Sequence, residues 1–216
     1  MKRIAELSDR VEFWLICTLA FGLLIVGSTR AFLTHKDRVL DDHWAAGLLS
    51  YELAVIVIVV LIGRARGWSL ADLGLHPSLG FTGWGVLLYI AGMVTLWISY
   101  AIAVELYRGD IPHSSTTAHG LSLVAVVAVA VVNSVFEETL VTGYIVRATL
   151  RHGAVFAVTA STLVRFLYHT YQGPVDAVCI LPLGLLYATV YLRSGELWPL
   201  VTAHALMDLV ALGRRI

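Results

Sequence analysis

Residues 126–146 read VVAVAVVNSVFEETLVTGYIV, and this stretch decides the fold class. It is almost wholly aliphatic and about as long as the roughly 20 residues a helix needs to cross the hydrocarbon of a bilayer. At its middle stand two adjacent carboxylates, Glu137 and Glu138. A charge at that depth costs about 2.5–3.5 kcal/mol on insertion scales, so a pair of them calls for a function. Later apolar runs supply matching groups: Arg165 and His169 in one, His204 and Asp208 in another. Ionisable side chains in membrane helices face one another or a watery cavity. The chain therefore reads as an integral membrane protein with a buried acid–histidine site.

Composition agrees. Of 216 residues, 58% are hydrophobic and 14% charged, against about 25% charged in a soluble domain. The formal net charge is zero, which gives no footing for a nucleic-acid partner and leaves the lipid bilayer as the expected surroundings. Cys17 and Cys179 both lie in apolar runs and read as small buried hydrophobes rather than a disulfide pair. The opening MKRIAELSDRVEFW mixes acids with bases and lacks a small-residue cleavage pattern, so the first apolar run reads as a retained helix.

Apolar runs extend over Val11–Leu33, Ala45–Ile62, Phe81–Val104, Leu121–Leu150, Ala154–Tyr171, Val175–Leu192 and Leu197–Leu212. The expectation is an all-α, polytopic bundle of about seven transmembrane helices. It forms a single integral membrane domain over 1–216, with the catalytic core at 121–212. Lys and Arg number eight on the N-terminal side of the spans (Lys2, Arg3, Arg10, Arg64, Arg66, Arg147, Arg151, Arg193) and six opposite (Arg30, Lys36, Arg38, Arg108, Arg214, Arg215). That balance leans towards a cytoplasmic N-terminus.

Six of the eight histidines (His35, His43, His76, His113, His119, His152) fall in predicted loops or helix ends and read as solvated. Only His169 and His204 lie inside predicted helices. Residues four apart share a helical face, so Asn133 stacks with Glu137, Glu138 with Thr142, and His204 with Asp208. Ser161, Arg165 and His169 form another polar stripe, extended by Gln172. A carboxylate with an imidazole suits activation of water, and further polar groups can serve the reacting carbonyl. The chemistry implied is hydrolysis of an amide or ester within or beside the membrane.

The motifs EETLVTG, RFLYH and HALMD, in that order, resemble those of the CAAX-protease and bacteriocin-processing (CPBP, or Abi) family of intramembrane glutamic endopeptidases. SLADLGL, Ser69 to Leu75, is similar to the loop that commonly precedes that family's core. The resemblance implies that Glu137 is the general base, that His169 helps to hold the water, and that His204 and Asp208 stabilise the oxyanion. It implies a metal-independent peptidase without a cofactor, acting on a peptide or membrane-protein substrate in a prokaryotic inner membrane. Three departures stand out: Thr142 replaces the motif Arg, Arg165 replaces an aromatic residue, and Asp208 stands where Asn is frequent. An ionised Asp accepts hydrogen bonds but cannot donate one.

Two other readings remain: a zinc-dependent membrane protease with Glu137, His169 and His204 as ligands, or a non-catalytic immunity or regulatory protein on the same scaffold. Duplicated halves, the mark of many transporters, are not evident. One further expectation comes from counting. Glu138 lies 13 residues before Arg151 and Arg165 lies 14 after it, so in antiparallel helices joined there their depths nearly match. Arg165 is thereby expected to pair with Glu138 in place of the missing motif Arg.

Overall fold

A computed structural model describes residues 4, 6–34, 38–107, 116–118 and 120–214. Seven helical rods make up most of the described chain: α1 (Asp9–Thr34), α2 (Asp42–Arg66), α3 (Leu79–Tyr107), α4 (Leu123–His152), α5 (Ala154–His169), α6 (Pro174–Ser194) and α7 (Trp198–Gly213). They fall on the seven apolar runs. Five of them, α1, α2, α3, α4 and α6, are long and apolar enough to cross a membrane. The protein is thus an all-α, multi-pass membrane protein. Helices α5 and α7 have 16 residues each. One minor element was not expected: Arg38–Leu40 (β1) pairs in parallel with Thr116–Ala118 (β2), with Arg38 opposite Thr116. His35, His113 and His119, with Lys2, Arg3, Lys36, Arg108 and Arg215 from the charge balance, lie outside the described residues.

Local chemistry sets the helix ends. Asp41 caps α2 by accepting from the Trp44 amide at 2.7 Å, and Ser122 caps α4 through the Ala125 amide at 3.2 Å. Both satisfy donors that a helix start leaves unpaired. Gly153 and Gly173, at φ of 102° and 96°, turn α4 into α5 and α5 into α6. A side chain would be strained there, and the tight turns make α4, α5 and α6 successive antiparallel neighbours. The loop Ser69–Leu75 closes on itself. Ser69 donates to Asp72 Oδ2 from its amide at 2.7 Å and its hydroxyl at 2.8 Å, which holds the Asp72 carboxyl below its ordinary range.

Helix α4 is the centre of the bundle: 61% of its apolar window is buried, against 11% for α3, which is left to face lipid. It packs against α2 and α7, while α5 packs against α1 and α6, and α3 against α6 and α7. Two rods contain π-helical stretches, Thr18–Gly22 in α1 and Glu138–Tyr144 in α4; such bulges gather at functional sites. The Tyr51 hydroxyl donates to the Leu19 and Ala20 carbonyls in the first stretch, at 2.6 and 3.0 Å. Tyr51, Phe136, Phe21 and Tyr168 then form a run of ring contacts at 6.3, 6.1 and 5.5 Å, which ties α2, α4, α1 and α5 together. The second stretch needs Gly143, because a Cβ there would come within 2.9 Å of Leu197 Cδ1. Leu197 itself is fixed by its amide bond to the Gly74 carbonyl at 2.8 Å.

Candidate active site

The two adjacent acids have different surroundings. Glu138 is fully buried and fully engaged. Arg165 Nη2 donates to its Oε1 and Oε2 at 2.7 and 2.8 Å. Thr142 donates to Oε2 at 2.7 Å, and His204 Nδ1 lies 2.7 Å from Oε1. The Arg165 pairing expected from helix depth is present. Thr142, which cannot supply the positive charge of the motif Arg, instead adds a hydrogen bond, and it accepts one from Arg165 at 3.1 Å.

Glu137 is held more lightly. The Tyr168 hydroxyl donates to its Oε2 at 2.6 Å, and Arg165 Nη1 lies 3.4 Å from the same oxygen. All of these contacts fall on Oε2. His169 Nδ1 lies 2.8 Å from the Arg165 carbonyl. A carbonyl only accepts, so Nδ1 carries the proton and Nε2 of the neutral ring is left as an acceptor. His204 faces acids at both nitrogens: Glu138 at Nδ1, and Asp208 and Glu137 at 3.6 and 3.9 Å from Nε2. Asn133 donates to Asp208 Oδ2 at 2.9 Å. That carboxylate therefore accepts from Asn133 and lies 3.6 Å from His204 Nε2.

Glu137, His169, His204, Asp208 and Asn133 all line one cavity of about 550 Å³, bounded by α1, α2, α4, α5 and α7. A second cavity of about 290 Å³ opens among α3, α5, α6 and α7. His169, Gln172, His204 and Asp208 line both. Ser161 has a different task from the rest of its stripe, donating to the Val141 carbonyl at 2.8 Å within the π-helical stretch.

Two residues of the site escaped the sequence reading. Tyr168 adjoins His169 in RFLYH but carried no signal separable from a packed aromatic. Glu52 had one: it is the sole charged residue in the run Ala45–Ile62. It is fully buried, and among the described residues neither of its oxygens has a hydrogen-bond partner. His43 is exposed in the first turn of α2, as its solvated reading expects, and also lines the larger cavity.

Glu137, Glu138 and His204 each offer a ligand atom within 4.8 Å of the others, a spacing a metal ion could use. The donor set does not fit one. Glu138 Oε1 and His204 Nδ1 already bond each other, and the guanidinium against Glu138 would repel a second cation. His169, the third ligand of the zinc reading, is not in this group.

Residues 119–210, somewhat under half of the chain, match the family model described as type II CAAX prenyl endopeptidase Rce1-like. Curated proteins and solved structures give no match.

Proposed function

We propose, from the match of residues 119–210 to the Rce1-like type II CAAX prenyl endopeptidase model, that the chain is an intramembrane endopeptidase whose general base is Glu137. The observation that carries the reading is the division of labour between the two acids. Glu138 is locked by Arg165, Thr142 and His204, whereas Glu137 lines the cavity with its contacts confined to one oxygen.

In the proposed reaction Glu137 and the Nε2 of His169 hold a water. As the water oxygen bonds to the peptide carbonyl carbon, its proton passes to Glu137. The charge that develops on the carbonyl oxygen is met by His204, with Asp208 and Glu138 supporting the donor ring. When the C–N bond breaks, Glu137 returns the proton to the leaving nitrogen, giving a carboxylate and an amine. Glu138 and Arg165 position His204 and take no part in bond changes. The family name points to a prenylated CAAX peptide as the substrate class; leader peptides and membrane-protein loops have the same reacting bond. The setting proposed for this reaction is a prokaryotic inner membrane.

The test compares the proteome of membranes bearing the wild-type chain with that of membranes bearing Glu137→Ala. A peptide or protein that persists uncut only with the variant supports the peptidase. An unchanged proteome, with the variant reproducing every cellular effect, would point to a non-catalytic immunity or regulatory role.

A further inference from the structure

The mechanism leaves Glu52 unused, and its setting is unlike that of any other acid in the site. Of the carboxylates lining the larger cavity, Glu137 is bonded to Tyr168 and Asp208 to Asn133. Glu52 is fully buried and, among the described residues, has no hydrogen-bond partner at either oxygen. Among the described residues, no Lys or Arg lines the cavity. An unmatched buried carboxyl group is costly.

The approach to Glu52 has a particular shape. Trp44, Leu48 and Glu52 recur every fourth residue and so share one face of α2. That face, with Val129 and Leu212 also lining the cavity, sets apolar side chains beside a carboxyl group. Lys and Arg have the complementary form, an apolar stem with a charged tip. A cation that reached Glu52 would pair with it away from water, where charge pairing is strongest.

We infer that the larger cavity is a specificity pocket for a Lys or Arg side chain of the substrate polypeptide, with Glu52 as its counter-charge. This rests on the endopeptidase reading and narrows it: substrates carry a basic residue near the bond that is cut.

The experiment uses the full chain in lipid nanodiscs and fluorogenic peptides in pairs, lysine against norleucine, with the substituted position moved along the peptide. At one position lysine should raise kcat/KM by about tenfold or more, chiefly through KM, as expected for a desolvated charge pair. Glu52→Gln should erase that preference, and Glu52→Asp should keep part of it. Equal cleavage of every pair by the wild type, or a lysine preference that survives in Glu52→Gln, would overturn the proposal. If the wild type cleaves no peptide, the peptidase reading fails separately. The same pairs, fluorescently labelled, are then compared by anisotropy. Tighter lysine binding that Glu52→Gln abolishes supports the pocket, and equal binding rejects it. Should Glu52→Gln not accumulate, the wild-type comparison alone still decides, since no preference for lysine leaves no pocket.

Discussion

Arg165 Nη2 sits 2.7 and 2.8 Å from the two carboxylate oxygens of Glu138, and neither side chain has more than 3% of its surface exposed. Breaking one side of such a buried pair costs about 3–5 kcal/mol. Arg165→Leu is therefore expected to lower both accumulation and activity, and adding Thr142→Arg should restore part of each. Melting temperature and peptide cleavage of the single and double variants check this; a wild-type-like Arg165→Leu would remove the pair from the account.

The adjacent acids should respond in opposite ways. Glu137→Gln is expected to reduce hydrolysis by about 100-fold to 10,000-fold, the usual range for loss of a general base, with little change in melting temperature. Glu138→Gln should lower the melting temperature as well, because it removes the closest counter-charge of Arg165 and leaves only Glu137, at 3.4 Å. Similar melting temperatures for the two variants would contradict the assignment.

Tyr168→Phe keeps the ring that stacks on Phe21 at 5.5 Å and removes the hydroxyl bonded to Glu137. A hydrogen bond to a charged group contributes about 1.5–3 kcal/mol, so kcat should fall by about tenfold to a hundredfold while the fold persists. Steady-state kinetics beside a thermal melt separates this from a packing defect.

Gly143→Ala would push a Cβ to within 2.9 Å of the fully buried Leu197. Overpacking of this kind costs about 1–3 kcal/mol. Pairing it with Leu197→Ala should recover less than the whole, since that change opens a cavity. Thermal stability of the two single variants and the double reads the coupling directly.

Exhaustive chelation is expected to leave cleavage intact, because the guanidinium of Arg165 occupies the side of Glu138 that a metal ion would need. Recovery of a chelated sample only on adding zinc would revive the metal reading.

The helices and their depth relation were legible because they depend on quantities a sequence carries directly. Apolar run length marks each rod, and residue counts from a turn fix depth, which is how Glu138 and Arg165 could be matched. Rotation about the helix axis was less legible. His169 and Tyr168 are neighbours about 100° apart on a helix, and which of them meets Glu137 depends on packing. The π-helical stretch at Glu138–Tyr144 adds to this, since an inserted residue turns everything after it and leaves no mark in hydropathy. Glu52 was legible and overlooked, a single acid in a run of aliphatics with no motif around it.

The two histidines sit on the two shortest rods. At 16 residues each, α5 and α7 span about 24 Å at 1.5 Å per residue, against a hydrocarbon layer of about 30 Å. A rod shorter than the layer draws the lipid surface inward around it, and His169 is the last residue of α5. By this mismatch, headgroups and solvent are expected to descend towards the site. Hydrolysis consumes one water per bond cut, in a setting where lipid would keep water out. For the proposed hydrolysis, the shortness of these two helices would bring the second reactant within reach.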